Sequence, residues 1–266
     1  VDINKLKIPS IKPTNILTQL KEKIVYSLDP YLNRENNFFG KNIRISIIGT
    51  GTTTHKNMNP SSVAEILLEN EKYIEDKHGF STILTSLISE NSNNITGISY
   101  KSNIIQVKAL SNQGEYDYKS ITASILWSLV KNVNIIVLPG LPVKKRISVI
   151  DAVNKATKSG IVIICPESKK TTDLHKMYPN ILFIEDSFKK SIKKHNILFK
   201  QDNLVNIRIP ELKMTAGYLK NTYIYIPKYL GAIGMLTGVV SYIMNTKKNN
   251  KKLYDFKHVI EHLKTL

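Results

Sequence analysis

Four short runs rich in β-branched residues recur along the chain, separated by stretches with helical spacing. The first is Ile43-Arg44-Ile45-Ser46-Ile47-Ile48; the others lie at residues 103–110, 134–138 and 161–165. Between them, residues 80–89, 119–131 and 147–159 carry apolar side chains three and four apart, as Ile83, Leu84, Leu87 and Ile88 do. Apolar runs too uniform to leave one face wet read as strands buried on both sides. Strands alternating with helices at this spacing require a mostly parallel central sheet flanked by helices, an α/β fold in three layers. Such sheets place their chemistry at the carboxyl ends of the strands. Gly49-Thr50-Gly51 ends the first run and so marks the expected functional edge.

The rest of the chain is less regular. Residues 1–41 read as a polar arm, extended at Ile8-Pro9 and Lys12-Pro13, with a short helix expected over 15–28. Ser61-Ser62 is expected to cap a helix running to residue 71, with Glu65 near its start. A fifth strand is expected over 178–185, then short β segments at 197–199, 205–209 and 223–226. An apolar helix over 231–244 and an amphipathic helix over 253–266 close the chain. No repeat and no domain-sized linker interrupts residues 42–266, so one domain is expected behind the arm.

The single cysteine, Cys165, excludes an internal disulfide and a cysteine zinc cluster. It ends a buried run and reads as an inert core thiol. His55, His78, His175 and His195 lack metal-ligand spacing, and no paired acidic loops suggest calcium; no metal or cofactor is expected. No apolar run has the length of a membrane span or, near Val1, of a signal peptide. A soluble chain is expected, from which a leader could have been trimmed, and its location is left open. The formal net charge is +17. Its clusters, such as Lys144-Lys145-Arg146, Lys189-Lys190 and Lys193-Lys194, have no interleaved aromatics to stack bases. Nucleic acid is therefore not the expected partner, whereas an acidic protein or surface is compatible with the charge.

From residue 42 onward, the order of landmarks resembles the subtilisin-like serine proteases (the subtilases). Ile45-Ser46-Ile47-Ile48-Gly49-Thr50-Gly51 stands where that family has an apolar strand ending in Asp-Thr-Gly. His78-Gly79, with Ser81-Thr82 and an apolar helix behind it, is similar to the family's His-Gly-Thr-His segment. The stretch 93–99 and the strand after it, the helix with Trp127, the helix and strand from Asp151 to Ile164, and Tyr178-Pro179 follow in the family's order. The resemblance implies a three-layer subtilisin-like fold.

It also exposes what is missing. Acyl transfer of this kind needs a nucleophilic hydroxyl, a histidine base, a carboxylate to orient it and oxyanion donors. Gly49 stands at the aspartate position. Aligning Gly231 with the glycine of Gly-Thr-Ser-Met-Ala puts Ile233 at the nucleophile. Pro166-Glu167-Ser168-Lys169 stands where the oxyanion asparagine is expected. Only His78 remains. Loss of the nucleophile alone costs on the order of 10⁶ in turnover in subtilisin itself. The chain therefore reads as a catalytically inactive member of the family, a pseudoprotease.

The resemblance further implies a groove in which a peptide adds as a strand between Gly114-Glu115-Tyr116 and Pro139-Gly140-Leu141-Pro142. Strand addition uses backbone hydrogen bonds and does not need catalytic side chains, although Pro139 and Pro142 remove donors from the second edge. The expected partner is a peptide or a protein, in one version an active subtilase in a heteromer. Two other readings stay open. One is an active endopeptidase with relocated chemistry, drawing on His78, Glu167 or Ser241. The other is a nucleotide-binding module that uses the turn from Gly49 to Thr54 as a phosphate loop, despite lacking the third glycine of that fingerprint.

Overall fold

The computed structural model describes residues 6–20, 22–25, 39–58, 60, 62–65, 73–142, 144–167, 174–184, 196–201, 204–208, 214–246 and 256–264. Three short strands come first: β1 (Leu6–Lys7), β2 (Thr14–Leu17) and β3 (Ile24–Val25). Then follow β4 (Arg44–Gly49), β5 (Ser62–Glu65), α1 (Phe80–Ser89), β6 (Ile95–Thr96), β7 (Asn103–Lys108), β8 (Glu115–Tyr116) and α2 (Tyr118–Val130). The second half comprises β9 (Ile135–Val137), α3 (Ile147–Lys158), β10 (Val162–Pro166), α4 (Leu174–Met177), β11 (Ile181–Ile184), β12 (Asn196–Gln201) and β13 (Leu204–Arg208). The described chain closes with β14 (Thr215–Tyr218), β15 (Thr222–Tyr225), α5 (Lys228–Thr246) and α6 (Phe256–Leu263).

Eight strands form the central sheet, in the order β12-β13-β11-β10-β9-β4-β7-β5. All neighbours run parallel except β12, which pairs antiparallel with β13 at one edge. Helices α1 and α5 pack together against one face, and α2 and α3 against the other. This is the expected α/β architecture, a mostly parallel sheet between helical layers. Alternation along β4 shows why it forms. Ser46 faces α2 and shares a buried hydrogen bond with Ser128 at 2.8 Å, while Gly49, three residues on, meets Phe80 and Ser81 of α1. Ile45, Ile47 and Ile48 are fully buried. Helix α5 is apolar nearly all round and lies in the core, as an all-apolar helix must.

Two expected helices are strands instead. Over 15–28, the described residues form β2 and β3, because Leu17 and Thr14 pair with Tyr223 and Tyr225 of β15, and Ile24 pairs with Ile95; residues 21 and 26–28 lie outside the described residues. Within 61–71, Ser62–Glu65 pairs in parallel with Ile105 to Lys108 of β7; residues 66–71 lie outside the described residues. In both places a distant strand supplies hydrogen bonds that outweigh weak local helix preference. Among the described residues no helix is long and apolar enough to cross a membrane.

Candidate functional site

Adjacent strands β4 and β9 lead to helices on opposite faces, α1 and α3. The crevice beyond their carboxyl ends is where an open sheet of this kind binds or reacts. Gly49 ends β4 there, paired with Lys108. A β-carbon on Gly49 would collide with Ser81 Oγ and lie 3.0 Å from Phe80 Cδ1. Side chains in the first turn of α1 would have to shift to admit one. Gly49 is thus a packing glycine. The turn itself is made by Gly51, whose φ of 129° suits glycine alone and whose β-carbon would strike the carbonyl of Ile74.

An aspartate does stand nearby, at Asp76. It is buried and accepts five hydrogen bonds. Its Oδ1 takes the amides of His78 at 2.9 Å and Gly79 at 2.7 Å and the Thr50 hydroxyl at 2.8 Å. Its Oδ2 takes the amide and the hydroxyl of Thr82, both at 2.8 Å. The carboxylate thereby satisfies the open amides at the start of α1, where negative charge also suits the helix dipole. It binds the backbone of His78 and leaves the ring alone. Both ring nitrogens of His78 are buried without a hydrogen-bond partner. Burial lowers the His78 pKa, the Asp76 charge raises it, and Lys7 lowers it further. The imidazole is neutral at pH 7 and nothing fixes its tautomer. A base without an orienting partner or an adjacent hydroxyl is poorly placed for proton transfer. Sequence reasoning passed over Asp76, although an aspartate just ahead of a helical pattern is a capping signal.

Of the expected groove residues, Tyr116 and Gly140 lie in contact. Glu115 and Tyr116 form β8, and Gly114 precedes it with φ 77°. A β-carbon on Gly140 would collide with the Tyr116 hydroxyl, so the tip of the Tyr116 side chain rests against the second expected edge. Leu141 is buried. His78 borders the same place, since a β-carbon on Gly114 would lie 3.0 Å from His78 Nε2. The outer side of β8 is taken by β1, with Leu6 opposite Tyr116 and Lys7 opposite Glu115. The sequence contains no local sign of that pairing.

The other candidates lie elsewhere. Ile233 is fully buried, more than a turn inside α5. Ser241 shares hydrogen bonds with Ser99 at 2.7 Å and Ser102 at 3.3 Å. Ser102 immediately precedes β7, so Ser241 sits at the amino end of the sheet. His78 sits at the carboxyl end, a strand's length away, about 17–20 Å. Burial pushes the Cys165 thiol far up, and Sγ donates to the Pro166 carbonyl at 3.4 Å. Glu167 follows β10, its amide bonded to Ile184. The turn after β4 spends its amides internally. Thr50 donates to Ser81 Oγ, Thr52 to the Ile74 carbonyl, Thr53 to Gln106 Oε1 and His55 to Thr53 Oγ1. A phosphate loop needs such amides free, and among the described residues the next helix after this turn is α1, which starts only at Phe80. Among the described residues, no cluster of three metal-ligating side chains occurs. His195 lies outside the described residues.

Similar proteins point the same way as the sheet. The minor extracellular protease Epr of Bacillus subtilis is 28% identical over 127 residues, 47% of this chain and 20% of that protein. The thermostable alkaline protease of Halalkalibacterium halodurans is 24% identical over 128 residues, 47% of this chain and 35% of that protein. That similarity supports a relationship to the subtilisin-like proteases. The match takes in about a third or less of either relative's length. No family model matches the chain. A subtilisin-like domain fits both the sequence similarity and the layered parallel sheet.

Proposed function

We propose that this chain is a catalytically inactive subtilisin-like domain that works by binding an extended peptide or a protease partner, in a pathway of peptide maturation, signalling or regulation. The observation that carries the reading is the filled site beside Gly49. A β-carbon on Gly49 would collide with Ser81 Oγ and press on Phe80, and Asp76, the buried aspartate nearby, is committed to the start of α1. His78 is left with an unpartnered ring. Strand addition at Gly114-Glu115-Tyr116 needs none of these groups. The net charge of +17 favours an acidic partner by steering. A heteromer with an active subtilase, in which this chain supplies recognition, is one form of the proposal.

The test is hydrolysis by the purified chain of a mixed peptide library, read by mass spectrometry, together with labelling by a fluorophosphonate probe. Neither cleavage nor labelling is expected, and His78→Ala is expected to change nothing. Cleavage that disappears in His78→Ala would overturn the reading. No placement described above favours relocated chemistry, because Ser241 and His78 lie at opposite ends of the sheet.

A further inference from the structure

Helix α2 divides its side chains against the usual rule. Its inward face carries Ser120, Ser124 and Ser128 beside Ile121 and Ile125, and all five are buried. The hydroxyls are satisfied locally. Ser128 bonds Ser46 of β4 at 2.8 Å, Ser124 donates to the Ser120 carbonyl at 2.7 Å, and Ser120 donates to the Asp117 carbonyl at 3.0 Å. Larger apolar side chains are left on the outward face. Val130 is 74% exposed, Ala123 is exposed, and Leu126 and Trp127 between them are only partly buried. Spacing of three and four places these residues on one stripe. Ile147, at the start of α3, is 73% exposed and stands by the beginning of that stripe, because the two helices start side by side. The Arg146 guanidinium lies 4.7 Å over the Tyr118 ring, and the Thr122 hydroxyl donates to that of Ser148 at 3.5 Å. A helix that served the core alone would turn its apolar stripe inward and its hydroxyls out.

We infer that the outer face of α2, together with Ile147, is a docking surface for an anionic lipid bilayer. Charge selects this occupant. From Tyr118 to Lys158 the chain carries seven Lys or Arg and one acidic residue, Asp151, whereas the whole chain carries 38 to 21. Exposed lysines frame the stripe. Lys119, Lys144 and Lys145 stand at or just ahead of the helix starts, and Lys131, Lys155 and Lys158 stand at the helix ends. An apolar centre with a cationic border matches acyl chains beneath anionic headgroups, as in helices that lie in the plane of the interface. A protein partner fits this border less well, because lysine is depleted at protein interfaces. Lysine stems lie along apolar surface while their ammonium groups reach outward, and Lys131 already sits 5.3 Å over the Trp127 ring. Each basic group near an anionic surface strengthens binding roughly fivefold. This inference goes beyond the proposed function and does not rest on it, since neither peptide binding at β8 nor hydrolysis enters the argument.

Trp127 is the single tryptophan of the chain, so its emission reports on this face alone. Vesicles of phosphatidylcholine with an equal part of phosphatidylglycerol are expected to shift that emission to the blue. Lipids brominated along the acyl chain are expected to quench it, and pure phosphatidylcholine to do neither. Val130→Asp with Ile147→Asp, checked by circular dichroism to be folded, is expected to weaken cosedimentation with the anionic vesicles at least tenfold. Lys144→Glu with Lys145→Glu is expected to weaken it by a similar factor. The emission reading on the natural chain needs no variant. A chain of net charge +17 is drawn to anionic lipid on every side, and the readings separate that case. Cosedimentation with Trp127 neither shifted nor quenched would overturn the inference, as would cosedimentation unchanged by Val130→Asp with Ile147→Asp. No binding to the anionic vesicles, or an equal shift on pure phosphatidylcholine, would also overturn it. A blue shift on polyglutamate with none on the vesicles would overturn it in favour of an acidic protein on this face.

Discussion

Ser81 Oγ accepts the Thr50 amide at 2.9 Å and so stands where a side chain on Gly49 would project. The serine bridges the end of β4 to the first turn of α1. Gly49→Asp is expected to leave the protein inactive and to destabilise it by at least about 2 kcal/mol, from overpacking and burial of a charge without its own donors. Urea unfolding measures this. The double variant with Ser81→Gly is expected to recover part of the loss, a coupling that independent sites would not show.

Asp76 carries more of the local structure than its place in a loop suggests. Asp76→Ala removes the acceptor for three amides and two hydroxyls. The expected cost is about 3 kcal/mol, because buried donors are left without partners. Asp76→Asn keeps one acceptor oxygen and is expected to lose less. Amide exchange in the first turn of α1 is expected to accelerate in both variants, and an unchanged rate would contradict the capping role.

His78 and His55 are both buried, and burial is the leading cause that lowers each pKa from the ordinary 6.5. Between the lowered folded value and 6.5, the unfolded chain holds more protons than the fold. Stability contributed by these neutral rings is therefore intact above that window and drains away as pH falls through it. Denaturant midpoints compared at pH 7.5 and 5.5 are expected to fall on acidification. The fall is expected to shrink in His78→Phe, which cannot titrate. Glu90 acts in the opposite sense, since burial raises its pKa from 4.5 and its ionisation on rising pH costs stability. The comparison between natural chain and His78→Phe at each pH removes that contribution.

Ser241 belongs to a buried hydroxyl cluster with Ser99 and Ser102. Ser241→Ala is expected to cost about 1 kcal/mol, since Ser99 and Ser102 still bond to each other at 2.7 Å. Peptide binding at β8 is expected to be unchanged. A loss of binding without a change in thermal midpoint would connect the two ends of the sheet in a way the fold does not suggest.

Much of the architecture was legible because it is written locally. Helix α1 spans Phe80–Ser89 as its apolar spacing predicts. Strands β4, β7, β9 and β10 followed from β-branched runs separated by stretches of helical spacing. The errors at 15–28 and 61–71 share one cause. Thr14–Leu17 and Ser62–Glu65 become strands only because β15 and β7 lie beside them, and no local pattern records a distant neighbour. The candidate site divides along the same line. His78 and Gly114 could be picked out by resemblance, and the two lie close in space. The tight packing of Gly49 against Ser81, and the arm on β8, depend on contacts across the fold and have no short-range signature.

The small sheet β14-β15-β2 joins Thr14–Leu17 to Thr222–Tyr225. Chains are made from the amino end, so one strand of this pair leaves the ribosome long before the other exists. Until Tyr225 has emerged, Ile16 and Leu17 have no edge to join. Closing so long a loop adds only modestly to the entropic cost, which grows with the logarithm of its length. The delay is a matter of time rather than of final balance. Strand β2, made early, is among the last able to settle, and a nascent chain stalled before β15 carries it unpaired.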